Sequence, residues 1–157
     1  MNVVLNNEQK LNIRVGAFIY DLSDNYVLIH KKIKNNYWML PGGRLEFYES
    51  TDEAIKREIY EELGYNLDFN LVMILENFYT TNNVQVHELD FNFLSTYNKV
   101  IEDEFAFQGL EGEYMVFKWV HKQNIKNYNF INSEERKFID LNQKNDKKIM
   151  KYVRKSR

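Results

Sequence analysis

The sequence predicts an α/β fold in which helices cover the faces of a mixed sheet. The 157 residues are 44% hydrophobic and 15% aromatic, which is enough for one well-buried core and too little for two ordinary domains. Predicted elements follow the order strands, helix, strands, helix, which is typical of such a fold. We therefore predict a single domain over residues 1–157.

Five segments have the composition of β-strands, with mainly β-branched, aromatic and aliphatic residues. The predicted strands are 12–20, 26–31, 68–80, 87–96 and 114–121. The turn formers Asp21, Ser23, Asp24 and Asn25 lie between the first two, which predicts a hairpin. The polar segments 81–83 and 99–113 are predicted to be connections.

A helix with well-marked ends is predicted between Ser50 and Gly64. Ser50 and Glu53 form a capping box, in which two side chains satisfy backbone N–H groups at the helix start. Glycine at the other end supplies the left-handed residue that commonly ends a helix. An apolar residue recurs every four positions, at Ile55, Ile59 and Leu63. This stripe needs a covering surface, so the helix is predicted to pack on the sheet.

A second, shorter helix is predicted near the C-terminus. Ser133 is a suitable N-cap, and Phe138, Ile139 and Leu141 form the apolar side. The segment that follows is basic and is predicted to be a solvated terminal helix or a frayed tail. Its positive charges are Lys147, Lys148, Lys151, Arg154, Lys155 and Arg157. RNA binding through this tail is a minor alternative function.

The overall composition narrows the classes of function. The 21 basic residues nearly balance the 23 acidic ones, so no global field favours nucleic acid or an anionic membrane as partner. There is no cysteine, which excludes disulfides, thiolate metal sites and cysteine nucleophiles. The N-terminus lacks a signal peptide, and no run of about 18 apolar residues occurs. We expect a cytoplasmic protein.

Three carboxylates lie together on the predicted first helix. Glu58, Glu61 and Glu62 are three and four residues apart and therefore share one side of the helix. Like charges at this spacing repel one another, and Arg57 neutralises only part of that charge. Oxygen ligands without sulfur or nitrogen favour a hard cation such as Mg²⁺ or Mn²⁺. Such a triad by itself is more often the solvated face of an amphipathic helix.

The spacing of this triad from a glycine turn makes it specific. Gly43 is followed after five residues by Glu49, and after seven more by the segment R-E-I-Y-E-E-L-G-Y, residues 57–65. This resembles the Nudix box, G-x5-E-x7-R-E-U-x-E-E-x-G-U, where U is a bulky apolar residue. Every glycine and charged position is matched. Tyr65 departs from the usual aliphatic residue, and Tyr48 stands where glycine is common.

The resemblance implies a fold and an activity. The fold is the Nudix fold, an α/β/α sandwich around a mixed β-sheet. The implied activity is metal-dependent hydrolysis of a phosphoanhydride bond in a nucleoside diphosphate linked to another moiety. Nucleoside triphosphates, nucleotide sugars and ADP-ribose all belong to this class, and the box does not distinguish them because it acts on the phosphates.

The resemblance also implies a role for each box residue. Glu58 and Glu62 are expected to be the principal ligands of Mg²⁺, or of Mn²⁺, with Glu61 as a further ligand. The backbone carbonyl of Gly42 adds another. Arg57 is expected to pair with a box carboxylate. The remaining two positions, Gly43 and Glu49, support the metal site from the loop.

The residue that removes a proton from the attacking water is less well defined, because family members use either a box glutamate or an acid from a later loop. Glu58 is the first candidate. Glu111 and Glu113, which precede the last predicted strand, are alternatives, as are the acids in residues 102–104.

Several residues outside the box could contact a substrate. Aromatic residues flank the box and recur in the next strand, at Tyr37, Trp38, Phe47, Tyr48, Phe78 and Tyr79. Some could stack on a nucleobase, although core packing is the more common role of such residues. Strand alternation places Glu88 and Asp90 on one face, where surface exposure is expected more than substrate contact.

A nucleotide sensor that keeps the Nudix fold without hydrolysis is the main alternative to an enzyme. Such modules usually lose box carboxylates, whereas Arg57, Glu58, Glu61 and Glu62 are all present here. The expected partner is a small nucleotide, and a homodimer is possible because family members are often dimers.

Overall fold

The computed structural model describes residues 1–145 and 148–155. The described strands are β1 (Asn2–Asn6), β2 (Gln9–Tyr20), β3 (Tyr26–Lys32), β4 (Gly42–Arg44), β5 (Asn70–Thr81), β6 (Val84–Thr96), β7 (Phe105–Gln108), β8 (Met115–His121) and β9 (Met150–Lys155). The α-helices are α1 (Thr51–Leu63) and α2 (Ser133–Asp140), and short 3₁₀ helices cover Lys122–Asn127 and Gln143–Asn145.

All described strands belong to one mixed sheet, as predicted. Its main order is β7-β8-β3-β2-β6-β5-β9, with β1 and β4 also paired to β2. The pairs β2–β6 and β5–β9 are parallel, and the other pairs are antiparallel. The parallel pairing places Arg14 of β2 in register with Asp90 of β6.

Both ends of α1 form as the sequence predicts. Ser50 caps the first turn, with both hydrogen bonds of the capping box in place. Gly64 ends the helix in the left-handed conformation with φ 72°, where most other residues are strained. The apolar stripe is buried against the sheet together with the side chains of Ala17, Phe93 and Trp119.

The opposite face of the sheet is covered by α2 and the 3₁₀ helix Lys122–Asn127. Phe138 and Ile139 are buried there and pack with Phe18 of β2, whose ring centroid lies 4.1 Å from that of Phe138. With α1 on one face and α2 on the other, the α/β/α sandwich is confirmed. Among the described helices, none is long and apolar enough to cross a membrane.

The predicted hairpin of the first two long strands forms only at its turn. Between β2 and β3, Tyr20 pairs with Val27, while farther along β2 the strand β4 takes the neighbouring position. Met39 pairs with His30 of β3. The chain before the box therefore inserts between the two strands, which a local pattern of turn formers does not reveal.

Three edge strands differ from the sequence prediction. β1 lies in a polar N-terminal segment for which no strand was predicted, and β7 lies within the predicted connection 99–113. β9 replaces the predicted terminal helix or frayed tail and pairs in parallel with β5. Residues 147 and 157 of that basic segment lie outside the described residues. Edge strands gain stability from backbone hydrogen bonds to a neighbour, which side-chain composition reports weakly.

The second helix begins one residue earlier than predicted from Ser133 as the N-cap. Asn132 is the N-cap and makes no side-chain capping bond, while Ser133 is the first helical residue. Leu141, predicted on the apolar side, lies at the C-cap and is 63% exposed. The helix ends before a further turn could bring this side chain back to the core.

Removing side-chain volume under α1 should destabilise the protein measurably. Ile59 is fully buried, and we expect Ile59→Ala to lower the free energy of unfolding by roughly 2–5 kcal/mol through lost burial and a residual cavity. Tyr60→Ala on the exposed side of the same helix should change it by less than about 0.5 kcal/mol. Urea unfolding measures both, and equal losses would contradict the packing described.

Candidate active site

The glycine turn brings the backbone close to β2 and α1. Gly42 has φ 153°, and a Cβ atom there would collide with the carbonyl oxygen of Val15. A Cβ on Gly43 would collide with the carboxylate of Glu58. Both glycines are therefore required by close approach, and they place backbone groups of the turn beside a box carboxylate.

Arg57 joins the turn to the helix through several hydrogen bonds. It donates from Nε to Glu49 Oε1 at 2.7 Å and from Nη2 to Glu49 Oε2 at 3.0 Å. Its Nη1 donates to Glu58 Oε1 at 2.9 Å and to Glu61 Oε2 at 3.3 Å. Nη2 also donates to the carbonyl oxygen of Arg44 at 3.1 Å. One guanidinium thus orients three carboxylates and anchors the loop that precedes the helix.

Glu49 holds its own loop as well as Arg57. Its Oε2 accepts a hydrogen bond from the backbone N–H of Glu46 at 3.0 Å. The hydrogen bonds from Arg57 hold the pKa of Glu49 below its usual range, and the same contacts raise the pKa of Arg57. Glu49 and Arg57 are therefore a charged pair at neutral pH.

Unlike Glu49, Glu62 has no paired positive charge among the described residues. It is 8% exposed, and its Oε2 is buried with no hydrogen-bond partner among the described residues. Burial, followed by the charges of Glu58 and Glu111, raises the pKa of Glu62 to about 8. Burial also raises the pKa of Glu58, although Arg57 opposes the shift. The fold therefore brings together carboxyl groups whose ionised forms are only partly compensated.

The three box glutamates are not arranged as a closed ligand set. Within residues 1–145 and 148–155, no group of three His, Asp or Glu side chains converges as a site that could hold a metal ion. Glu61 is 44% exposed, whereas Glu58 is 13% exposed. The buried, unpartnered oxygen of Glu62 and the carboxylate of Glu58 are the donors that suit a hard cation.

A cleft of about 390 Å³, here called the box cleft, opens beside Glu62. Gly42 and Glu111 line it with Glu62, and Lys31 and Lys32 contribute positive charge. The other sequence candidates for the base are elsewhere. Glu113 lines a separate cleft. Glu104 accepts hydrogen bonds from the backbone of His121 and the side chain of Asn124.

A second cleft of about 540 Å³, here called the tyrosine cleft, lies next to the box cleft. Tyr37 and Tyr79 line it with the amides of Asn77 and Asn132. Phe78 also lines it, whereas Phe47 and Tyr48 are 86% and 97% exposed. Aromatic rings and amides can together stack on a nucleobase and hydrogen-bond its edge.

The expectation that Glu88 and Asp90 lie on the surface was wrong. Asp90 is buried at 5% exposure, Glu88 is half-buried, and both line the tyrosine cleft. Glu88 accepts a hydrogen bond from Asn12 Nδ2 at 2.5 Å. Asn132, at the start of α2, lies over this face of β6 and donates a hydrogen bond to Asp90. Strand alternation therefore placed Glu88 and Asp90 on the correct face, but that face is covered and not exposed to solvent.

Sequence reasoning missed a buried polar cluster behind the clefts. Arg14 Nε lies 3.9 Å from Asp90 Oδ1, and Asn92 Nδ2 donates to Glu135 Oε1 at 3.1 Å. His30 is buried, and its burial, with the nearby charge of Arg14, lowers its pKa to about 3. The available signal was Arg14 itself, a single charge within the apolar run I-R-V-G-A-F-I of β2.

The pKa of Glu62 predicts how stability depends on pH in metal-free protein. The folded state keeps this proton up to about pH 8, whereas an unfolded glutamate loses it near 4.3. The folded state therefore binds more protons between these values, and stability falls as pH rises through this window. We expect Glu62→Gln to reduce the loss of unfolding free energy between pH 5 and pH 8, measured by urea unfolding in chelator.

Asp52→Asn is the matched control, because Asp52 is an exposed carboxylate on the same helix. It should keep the wild-type pH dependence. An unchanged slope in Glu62→Gln would show that this carboxyl group is not the buried proton carrier described above.

Comparison with known proteins identifies the family. A model described as NUDIX domain matches residues 10–141. A Bacillus subtilis protein provisionally named an 8-oxo-dGTP diphosphatase is 46% identical over 52 residues, 32% of this chain and 35% of that protein. The 8-oxo-dGTP diphosphatase of Proteus vulgaris is 33% identical over 64 residues, 39% of this chain and 56% of that protein.

The chain thus spans about a third to just over half of the length of these curated relatives. Among solved structures, a MutT protein from Bacillus halodurans superposes with a TM-score of 0.67 at 20% identity, covering 90% of this chain and 89% of that one. At this identity the likeness shows the fold. The family model covers most of the chain and includes the box between Gly43 and Tyr65, so this protein belongs to the Nudix family.

Proposed function

We propose that this protein is a divalent-metal-dependent pyrophosphohydrolase that cleaves a phosphoanhydride bond in a nucleoside diphosphate linked to another moiety. The observation that carries the proposal is Glu62, a buried carboxylate with an unpartnered oxygen, which faces a cleft together with Gly42 and Glu111. Burying an uncompensated charge is unfavourable unless a ligand repays the cost. A cation bound during function would do so.

The residues around Glu62 suit Mg²⁺ or Mn²⁺ better than a softer metal. Glu58 and Glu62 offer carboxylate oxygens, Gly42 offers a backbone carbonyl, and Glu61 lies one helical turn from Glu58. A cation held there would lower the pKa of bound water and neutralise phosphate charge as the bridging P–O bond breaks.

The chain's own residues then have separable tasks. Arg57 and Glu49 fix the glycine turn against α1, and Arg57 orients Glu58 through a 2.9 Å hydrogen bond. We propose that Glu58 accepts the proton of the water that attacks phosphorus, with Glu111 as the alternative because it lines the same cleft as Glu62. Lys31 and Lys32 would attract the phosphates.

The substrate class is inferred from the clefts and the relatives. The two similar curated proteins are named for 8-oxo-dGTP, a nucleoside triphosphate with a damaged base. The tyrosine cleft is large enough for a base and adjoins the box cleft, where the phosphates would lie. We propose nucleoside triphosphates, including damaged ones, as the first class to test, before nucleotide sugars and ADP-ribose. The cytoplasmic location and the homodimer stay predictions from the sequence.

The alternative is a Nudix-fold module that binds a nucleotide without hydrolysing it. The intact box argues against it, because a sensor would have no need to bury Glu62 uncompensated or to orient Glu58 with Arg57. Turnover distinguishes the two functions directly.

Hydrolysis should require the two principal carboxylates. With Mg²⁺ and a panel of 8-oxo-dGTP, dGTP, ADP-ribose and UDP-glucose, we expect wild-type protein to hydrolyse at least one compound, with products separated by chromatography. Because metal and base function fail together, the Glu58→Gln, Glu62→Gln double variant should lose roughly a thousandfold or more in kcat. Chelator should abolish the wild-type activity.

Asp52→Asn again serves as the control and should retain wild-type kcat, since this exposed carboxylate lies at the far end of α1. Hydrolysis unaffected in the double variant would remove the metal-site assignment. Tight nucleotide binding without turnover of any compound would favour the sensor.

The two candidate bases are separable by single substitutions. If Glu58 accepts the proton, Glu111→Gln should lower kcat by less than about tenfold, whereas Glu58→Gln should lower it by roughly a hundredfold or more. The pH profile of kcat for each variant supplies an independent readout. If Glu111→Gln lowered kcat more than Glu58→Gln did, and its pH profile of kcat lost the acidic limb, the base would be Glu111.

A further inference from the structure

Arg14 lies where the box cleft and the tyrosine cleft meet. It lines the box cleft, the tyrosine cleft and a small void between them that also borders Asp90 and Asn132. Tyr37 and Met39 are shared by the two large clefts, but neither carries a charge. A nucleotide with its base in the tyrosine cleft and its phosphates in the box cleft would have to pass Arg14.

The guanidinium of Arg14 has unused hydrogen-bonding capacity. Its side chain is 19% exposed. Within the described part of the chain, its one ion pair joins Nε to Asp90 Oδ1 at 3.9 Å, too long for a hydrogen bond. Among the described residues it donates no side-chain hydrogen bond, whereas Arg57 donates five. A guanidinium carries five N–H donors in a planar fork, and those of Arg14 are not among the buried side-chain atoms that lack a partner, so they are accessible from the clefts.

The acids around Arg14 do not fully neutralise it. Burial raises the pKa of Asp90, even though Arg14 opposes the shift. Burial, together with Asp90, raises the pKa of Glu135, which disfavours a second full negative charge beside Arg14. Glu88 and Glu58 also lie near enough to stabilise the cationic form of Arg14. The fold thus keeps Arg14 charged without engaging its N–H groups.

We propose that Arg14 binds the substrate phosphate that adjoins the nucleoside, through the N–H groups that face the junction of the two clefts. This inference rests on the proposed function, because it takes a nucleotide as substrate. The guanidinium fork matches two phosphate oxygens, which a lysine in the same place does not. Arg14 is thereby a substrate-binding residue outside the box, and it sets the register between base and phosphates.

The competing role for Arg14 is purely structural, as the countercharge of Asp90. The two roles can be distinguished in the Asp90→Asn variant, because residue 90 then carries no negative charge for Arg14 to neutralise. The difference in ligand affinity between Asp90→Asn and the Arg14→Gln, Asp90→Asn double variant measures the contribution of Arg14 to binding when the Asp90 charge is absent. This pair also avoids leaving Asp90 unpaired if the single Arg14→Gln variant folds poorly.

The test uses two probes that differ by one phosphate, 8-oxo-dGMP and 8-oxo-2′-deoxyguanosine, titrated calorimetrically in chelator so that metal binding plays no part. We expect Asp90→Asn protein to prefer the monophosphate. Adding Arg14→Gln should weaken monophosphate binding roughly ten- to hundredfold and leave nucleoside binding unchanged. Arg14→Lys should fall between them, and Arg136→Gln on α2 should match the parent.

The proposal is overturned if Arg14→Gln leaves monophosphate binding unchanged in this background, or if the parent does not distinguish the two probes. Its failure is separate from failure of the proposed function, which the Mg²⁺ hydrolysis assay reports. Hydrolysis with an unchanged KM in Arg14→Gln would refute the role of Arg14 alone. Arg14-dependent monophosphate binding without hydrolysis would refute the enzyme alone.

Discussion

The site is organised by an imbalance of charge on α1. Arg57 makes two hydrogen bonds to Glu49 and one each to Glu58, Glu61 and the carbonyl oxygen of Arg44. These use all five N–H donors of its guanidinium, so none is left for Glu62. The capping box, the apolar stripe and the sheet hold α1 so that Glu62 is buried all the same. Like charges at short range and burial both penalise the ionised form. Burial and the neighbouring carboxylates therefore raise the pKa of Glu62 in the metal-free fold, and the cation that we propose would bind there as the proton leaves.

Gly42, Gly43 and Arg14 shape the cleft beside these carboxylates. Gly42 packs on Val15, and Gly43 leaves room for the Glu58 carboxylate, so the backbone of the turn approaches the helix as closely as atoms permit. Arg14 lies on β2, which pairs with β4, at the boundary between the box cleft and the tyrosine cleft. In the function that we propose, a substrate would meet the positive charge of Arg14 at that boundary and the box carboxylates beside Glu62. A phosphate chain bridged by a cation satisfies both.

Local sequence patterns predicted the parts of this arrangement that depend on local physics. Ser50, Glu53 and Gly64 mark the ends of α1 through hydrogen bonds and backbone angles within a few residues. The box spacing identified the family. By contrast, β4 inserts between β2 and β3, and β9 pairs with β5, through long-range backbone contacts that composition does not encode. Arg14 and Asp90 were missed as a pair because only the parallel β2–β6 register brings them together.

We propose that a divalent cation takes the place of the proton on Glu62. Calorimetric titration of Mn²⁺ into metal-free protein at pH 7, repeated in two buffers of different ionisation enthalpy, measures binding and proton release together. We predict binding that releases about one proton per ion, because the pKa of Glu62 is about 8 before the metal binds. In Glu62→Gln, proton release should largely disappear and binding should weaken. No binding, or binding by wild-type protein without proton release, would contradict the account.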